Sequence, residues 1–459
     1  MAIVEWTLAV IKMCLMKHEV IHISSQLFVG DCHGALRHLA YLRGSSTLQL
    51  VTIMSLPFKT LDDVEYKGKR VLIRVDMNCS LDPETKRIIN DSRIRAMTPT
   101  LRDLSESKVV LMAHQGRPGS DDFISLEQHT QILRDLGFDA RFIDDIFGER
   151  AKRAIQNVEV GEILVLQNVR MFEGEMKKGP VEEVAREPIV QELYPLFDLF
   201  VNDAFGAAHR SQPSIVGFTA VLPSVAGRVL EREVRTLTRI LKTDEHPWVL
   251  VLGGSKVPDK VRVIEKLLEL GRADSVLLGG LIATLFLVAS GEIPESYGKA
   301  VKGFDDTVGL AKDLLGRYSD VIMLPVDAAV ERNGVRIDCG LDEMGGDPFY
   351  DIGPRTAEEY ASIVRNARVA FANGPMGFFE KEEFQYGTIK VLEAIAHCNG
   401  TTVVGGGHVS AMAEKMNLVD RITHISTGGG ATMAFMTGKK LPLIEALEAA
   451  ARRMDSGGL

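Results

Sequence analysis

RVLIRVD, at residues 70–76, is a short apolar run that closes on Arg74 and Asp76, and its form is repeated by VVLMAH (109–114), ILVLQNVR (163–170) and LFVNDAF (199–205). Helix-length amphipathic segments separate these runs. That alternation predicts parallel strands joined by crossover helices. Each run ends in charged or polar residues, which places the chemistry at the carboxyl ends of the strands, where open α/β sheets bind ligands.

A second series follows: WVLVLGGSK (248–256), ADSVLLGG (273–280), DVIMLPVD (320–327), ARVAFANGP (367–375), TTVVGGGH (401–408) and THISTGGGA (423–431). Here the strand ends carry glycines rather than arginines. Between the series, GRVLEREVRTLTRIL (227–241) has apolar residues at helical spacing and predicts a connecting helix over roughly 224–241. A chain of 459 residues exceeds what one core usually supports. The expected fold is therefore α/β, with two Rossmann-like domains whose parallel sheets are separated by a cleft and joined by a long helix.

With 46% hydrophobic and 25% charged residues, the composition is that of a globular enzyme. A net charge of −9 argues against nucleic acid as a partner, because backbone phosphates need a broad basic face. The five cysteines, at positions 14, 32, 79, 339 and 398, are odd in number and lack C-x-x-C spacing. They suggest neither a disulfide framework nor a zinc site, and the expected location is a reducing cytoplasm. The opening MAIVEWTLAVIKMCLMK is broken by Glu5 and Lys12 and is too short to span a bilayer, so no membrane is expected. Residues 1–53 read as an extension ahead of a natural start at Met54, with an added docking segment as the alternative.

Five arginines stand at strand ends or helix starts in the first half: Arg74, Arg93, Arg117, Arg170 and Arg210. Guanidinium forks take carboxylate and phosphate in two-pronged geometry, so the set suits a substrate with several anionic oxygens. His114 and His209 add donors. Any one of these arginines could be an ordinary surface ion pair; their repeated placement is what carries the reading. Asp76 and Asn78 alternate with Arg74 and share its face if the strand continues. An acidic group among so many arginines suits orienting an arginine or binding hydroxyls. His129 and His424 are expected to be structural or exposed.

Glycine turns between strand and helix let backbone amides approach phosphate, and the amino end of a helix favours negative charge. In GGSKVPDK, Lys256 and Lys260 are four residues apart and share a face if helical, which reads as a phosphate clamp. No G-x-x-x-x-G-K-[ST] sequence occurs, and protein-kinase signatures are missing, which disfavours those folds. Gly279-Gly280, Asn373-Gly374-Pro375, Gly405-Gly406-Gly407 and Gly428-Gly429-Gly430 repeat the turn. Glu380 is placed to accept from ribose hydroxyls, or simply to sit exposed at a helix start.

Taken together, RVDMN (74–78), HQGRP (114–118), NDAFGAAHR (202–210), LGGSKVPDK (252–260), LPVD (324–327), DIGP (351–354), NGPMGFFE (373–380), GGGH (405–408) and STGGGA (426–431) resemble the phosphoglycerate kinase family. They fall in family order across about residues 56–445, and HQGRP and GGGHVS look like its archaeal branch. The resemblance implies a phosphoglycerate-binding domain over 54–223, an interdomain helix over 224–241, a nucleotide-binding domain over 242–436, and a segment 437–459 that packs back on the first domain. It implies that Arg74, Asp76, Asn78, Arg93, His114, Arg117, Arg170 and Arg210 hold 3-phosphoglycerate or 1,3-bisphosphoglycerate. Gly254, Ser255, Lys256, Lys260, Gly279, Gly280, Asn373, Pro375, Glu380 and Gly405 to Gly407 would hold ATP or ADP with magnesium.

The expected chemistry is direct in-line transfer, aided by Arg93, Lys256 and the helix amino end at Gly407, with hinge closure to exclude water. The family usually has aspartate after its triple glycine, as a magnesium ligand; here His408 stands there, which leaves the protein's ligand to the metal open. Ser80 replaces a usual proline. A monomer is expected, with a dimer as the alternative. The competing readings are a catalytically silent nucleotide-binding regulator or scaffold, and an acyl-phosphate kinase of different substrate.

Overall fold

Strands rich in Val, Ile, Leu and Phe on both faces need cover on both faces, and the chain supplies it with helices. A computed structural model describes residues 39–41, 50–52 and 56–458. The chain divides between Leu56 and Pro57. In the shorter unit, Leu39–Tyr41 pairs antiparallel with Leu50–Thr52. The expectation that residues 1–53 form an extension otherwise lies outside the described residues.

The larger unit holds two six-stranded parallel sheets. The first consists of β1 (Arg70–Arg74), β2 (Lys108–Met112), β3 (Ala140–Phe142), β4 (Ile163–Val165), β5 (Leu199–Asn202) and β6 (Ser224–Ala226). Their spatial order is β6-β5-β1-β2-β4-β3. Alternate residues feed separate cores. Val71, Ile73, Val109, Leu111, Val165 and Val201 face one side, whereas Leu72, Val110, Leu164 and Phe200 face the other, as the two-residue period of a strand requires.

The second sheet consists of β7 (Trp248–Leu252), β8 (Ser275–Leu278), β9 (Ile322–Met323), β10 (Val369–Asn373), β11 (Thr401–Gly405) and β12 (His424–Ser426). It runs β9-β8-β7-β10-β11-β12. Strand order reverses between β1 and β5 in the first sheet and between β7 and β10 in the second. These are the switch points beyond which open α/β sheets form a crevice. Asp327–Arg332, beyond Pro325, leaves the parallel sheet and forms the centre of a small antiparallel one, between Val335–Gly340 and Asp351–Ile352.

The connecting helix, α1, spans Arg228–Lys242, which corrects the expected start at 224. Ser224–Ala226 is instead a buried strand paired with Phe200–Asn202. The helix begins where its orphan amides find an acceptor. The Asp203 carboxylate accepts from Val229 N at 2.8 Å and Leu230 N at 3.0 Å. Thr100 Oγ1 accepts from Arg228 N at 2.9 Å and donates to the same carboxylate at 2.6 Å. Leu230, Val234, Leu237 and Ile240 form the buried stripe of α1. Glu233 on that stripe hydrogen-bonds His424 Nε2 at 2.9 Å and accepts from Thr427 N at 2.6 Å, tying α1 to the second sheet.

The second-sheet helices that matter below are α2 (Val257–Glu269), α3 (Gly280–Ser290), α4 (Gly407–Lys415) and α5 (Gly430–Met436). The last helix, α6 (Pro442–Asp455), returns to the first sheet beside β6. Leu443 N donates to Ala208 O at 3.2 Å, and Lys59 pairs with Asp455 at 2.7 Å. No helix among the described residues is long and apolar enough to cross a membrane.

Candidate active site

Loops after β1, β2 and β5 form one wall of a cleft of about 1550 Å³, and loops after β7, β8, β10, β11 and β12 form the other. Of the eight first-half residues named from the sequence, Asp76, Asn78, Arg93, His114, Arg117 and Arg210 line it. Arg74 and Arg170 do not. Arg74, only 1% exposed, lies beneath the wall. Its guanidinium donates to Ser214 Oγ at 3.0 Å, to His114 Nδ1 at 3.0 Å and to the Val75 carbonyl. Arg170 is spent on the Gly116 carbonyl. These two arginines brace the cleft, and burial pulls both down to about 10, with the Arg210 charge adding to the effect.

Behind Arg74 lies a carboxylate that no local sequence signal marks. Glu175 accepts from Ser214 Oγ at 2.6 Å and from Ser214 N at 3.0 Å. Burial pushes its pKa up against the pull of Arg74. The Arg74 bond also sets the His114 tautomer, because Nδ1 must accept from a guanidinium and the ring proton then sits on Nε2. Burial, then the Arg74 charge, holds His114 well below its ordinary range, so it offers that proton as a neutral donor.

On the wall itself, Asp76 accepts from Arg93 and from Asn78 N at 3.1 Å. Burial would raise Asp76, but the Arg93 charge foremost, with the Asn78 N–H bond, holds it down at about 2. Asp76 thus orients an arginine, one of the two roles that its sequence context allows. Asn78 Oδ1 accepts from Gly116 N at 2.8 Å and ties the β1 and β2 loops together. Arg210 turns Nε toward His209 at 3.3 Å and buries Nη1 without a partner. A buried donor left unpaired is costly and points to a missing acceptor.

Of the second-half residues, Gly279 and Gly405 sit just behind the surface while the other ten line the cleft. Gly280 has φ of +54°, and a Cβ there would come within 2.6 Å of Gly254 N. Gly374 has φ of +85°, so neither turn tolerates a side chain. The lysines divide more than their spacing suggests. Lys256 is the exposed cap residue before α2, whereas Lys260 is buried and donates to the Gly253 carbonyl. Burial, then the Lys256 charge, pulls Lys260 down to about 8. Asn373 is 5% exposed, and its Nδ2 has no partner. That is a second waiting donor, beside the amino end of α4. Glu380 lies exposed on the cleft rim.

His408, in the first turn of α4, stacks on Phe379 with ring centroids 5.0 Å apart and planes 4° from parallel. Among the described residues, no three His, Cys, Asp or Glu side chains gather as metal ligands. An imidazole packed on a ring is a poor donor for a hard cation, so these residues do not fit a resident magnesium site. His129 is fully buried and hydrogen-bonds Gln115 Oε1 through Nε2 at 3.1 Å, and His424 is buried against Glu233, so both are structural. Arg232 of α1, Phe378 and Thr427 also line the cleft, unforeseen from sequence.

Comparison with known proteins agrees with this architecture. The phosphoglycerate kinase family model matches residues 61–439. The phosphoglycerate kinase of Methanothermus fervidus is 45% identical over 404 residues, covering 87% of this chain and 98% of that protein. That of Methanothermobacter thermautotrophicus is 45% identical over 406 residues, with the same coverage of each. The crystal structure of the Pyrococcus horikoshii phosphoglycerate kinase superposes with a TM-score of 0.81 at 40% identity, over 86% of this chain and 100% of that one. The Coxiella burnetii phosphoglycerate kinase structure gives 0.70 at 32% identity over 86% and 100%. With the family model spanning both sheets, the connecting helix and every loop of the cleft, the chain belongs to the phosphoglycerate kinase family.

Proposed function

We propose that this chain catalyses reversible phosphoryl transfer between 1,3-bisphosphoglycerate and ADP, giving 3-phosphoglycerate and ATP. The observation that carries the reading is that Arg210 and Asn373, each with a buried donor that has no partner, line opposite walls of a single cleft. Each donor lacks an acceptor among the described residues. The first sheet and its loops, with α6 packed beside β6, hold the three-carbon acid. Residues 242–436 hold the nucleotide, and α1 joins the two.

The step is a direct displacement. A terminal oxygen of ADP attacks the phosphorus of the acyl phosphate, a new P–O bond forms, and the bond to the carboxyl oxygen breaks with its electron pair staying on the carboxylate. An acyl phosphate is already reactive, so the protein's work is alignment and charge neutralisation. Arg93, aimed by Asp76, and Lys256 neutralise the equatorial oxygens of the moving group, and the Gly407 amide at the start of α4 adds a donor. His114 offers Nε2–H to the acid. Gly254, Ser255, Lys260, Gly280 and Pro375 form the bed for the nucleotide phosphates, and Glu380 meets the ribose. Magnesium enters with the nucleotide as part of the substrate, on phosphate and water oxygens. The chain works in the cytoplasm as a monomer, with Cys79, Cys339 and Cys398 free thiols.

A coupled assay supplying ATP and 3-phosphoglycerate tests the reading, with acetate and carbamate as control acceptors. Turnover with the phosphoglycerate alone is expected; turnover with acetate or carbamate, or none with any acceptor, would overturn it. The buried lysine adds a pH signature. Lys260 at about 8 is charged in neutral solution and loses its proton above that value. The nucleotide kcat/KM, which reports the free enzyme, therefore falls as pH rises through about 8. In Lys260→Arg, whose charge persists, that alkaline limb is absent from the pH profile.

A further inference from the structure

One side-chain contact spans the cleft at a point that neither half-site uses. Asn90 ends a hairpin in which Ser80–Leu81 pairs with Ile88–Asn90. Its Nδ2 donates to Glu414 Oε2 at 3.0 Å, joining residues 324 positions apart. Glu414 lies near the end of α4, and both side chains line the cleft, half-buried.

The amide has only one way to face. Asn90 Oδ1 accepts from Ser92 N at 3.0 Å and from Ser92 Oγ at 2.5 Å. With the oxygen committed to Ser92, the nitrogen must turn outward, where a carboxylate oxygen meets it. Ser92 opens the short helix Ser92–Ala96, which carries Arg93. Glu414 belongs to the helix whose first residue is Gly407. One hydrogen bond therefore links the segment that aims Arg93 to the helix that aims the amides of the other wall.

We propose that Asn90 and Glu414 form a clasp that registers the two half-sites, making them positioning residues for phosphoryl transfer. The proposal rests on the transfer reading above. In-line attack tolerates little error, since a misplacement of about 1 Å can cost about 100-fold in rate. A single charge-assisted bond at a half-exposed place contributes only part of that registration.

The test compares Asn90→Ala, Glu414→Ala, Glu414→Gln and the double alanine variant, reading kcat, KM, the Kd for ADP and the radius of gyration by small-angle scattering. Each alanine variant is expected to lose about tenfold in kcat while the ADP Kd stays put, since about 1.4 kcal/mol corresponds to tenfold. The double variant should be no worse than Asn90→Ala, because Glu414 acts through its bond to Asn90. Glu414→Gln keeps an acceptor oxygen and should retain most of the turnover. Additive losses, a Glu414→Gln as damaged as Glu414→Ala, or unchanged kcat in both alanine variants would each overturn the clasp. A wild-type chain with no turnover would overturn the transfer reading instead. Scattering then decides on the clasp separately: a larger radius in Asn90→Ala supports it, and an unchanged one overturns it.

Discussion

Lys256→Ala is expected to lower kcat by about 100- to 1,000-fold, the range for removing one preorganised charge-stabilising donor, while the Kd for ADP rises only modestly. The asymmetry follows from how the two lysines are held. Lys260 is buried and tied to the Gly253 carbonyl, so its charge serves the glycine bed in every state of the reaction. Lys256 is exposed at the cap of α2, and its charge is felt in two directions. It depresses Lys260 on its own wall, after burial. It also contributes to holding His209, on the opposite wall, at about 4, behind burial and Arg210. A cation acting on both walls is suited to the charge that would move in the proposed transfer. Nucleotide binding should survive its loss because backbone amides and Lys260 remain. Turnover in the coupled assay and ADP affinity by titration calorimetry separate the two effects; near-normal kcat would remove Lys256 from the catalytic set.

Features set by local chemistry were readable from the chain alone. Alternating apolar runs that end in Arg74-Val75-Asp76 or Gly253-Gly254 specify strand, turn and helix within a dozen residues, and the structure places strands there. Gly280 and Gly374 were legible because their turns leave no room for a Cβ. What escaped depends on distant partners. Arg74 and Arg93 both look like ligands in the sequence, yet only Arg93 lines the cleft. The difference is Ser214, which engages Arg74 from 140 residues away. Ser224–Ala226 looked like the first turn of the connector until Phe200–Asn202 paired with it. Glu233, a charge on the apolar stripe of α1, makes sense only beside His424 and Thr427, which no local pattern brings together.

Arg93→Ala should cost about 1,000-fold or more in kcat, by comparison with arginines that stabilise phosphoryl transfer elsewhere, and it should also weaken phosphoglycerate binding. Two losses combine. The guanidinium that would meet the moving group disappears, and Asp76, 9% exposed beside Arg93, loses that cation. Arg93 is the foremost of the charges that hold Asp76 at about 2, and a bare carboxylate on that wall repels an anionic substrate. Asp76→Asn in the Arg93→Ala background separates the two. Removing the stranded charge should lower KM for 3-phosphoglycerate toward the wild-type value, whereas kcat should stay low because nothing replaces the guanidinium. Arg93→Lys should fall between, since an ammonium keeps the charge but not the planar fork that both Asp76 and a phosphoryl oxygen require. If the double variant restored kcat along with KM, Arg93 would act only by masking Asp76, and stabilisation of the moving group would fall to Lys256 and the α4 amides alone.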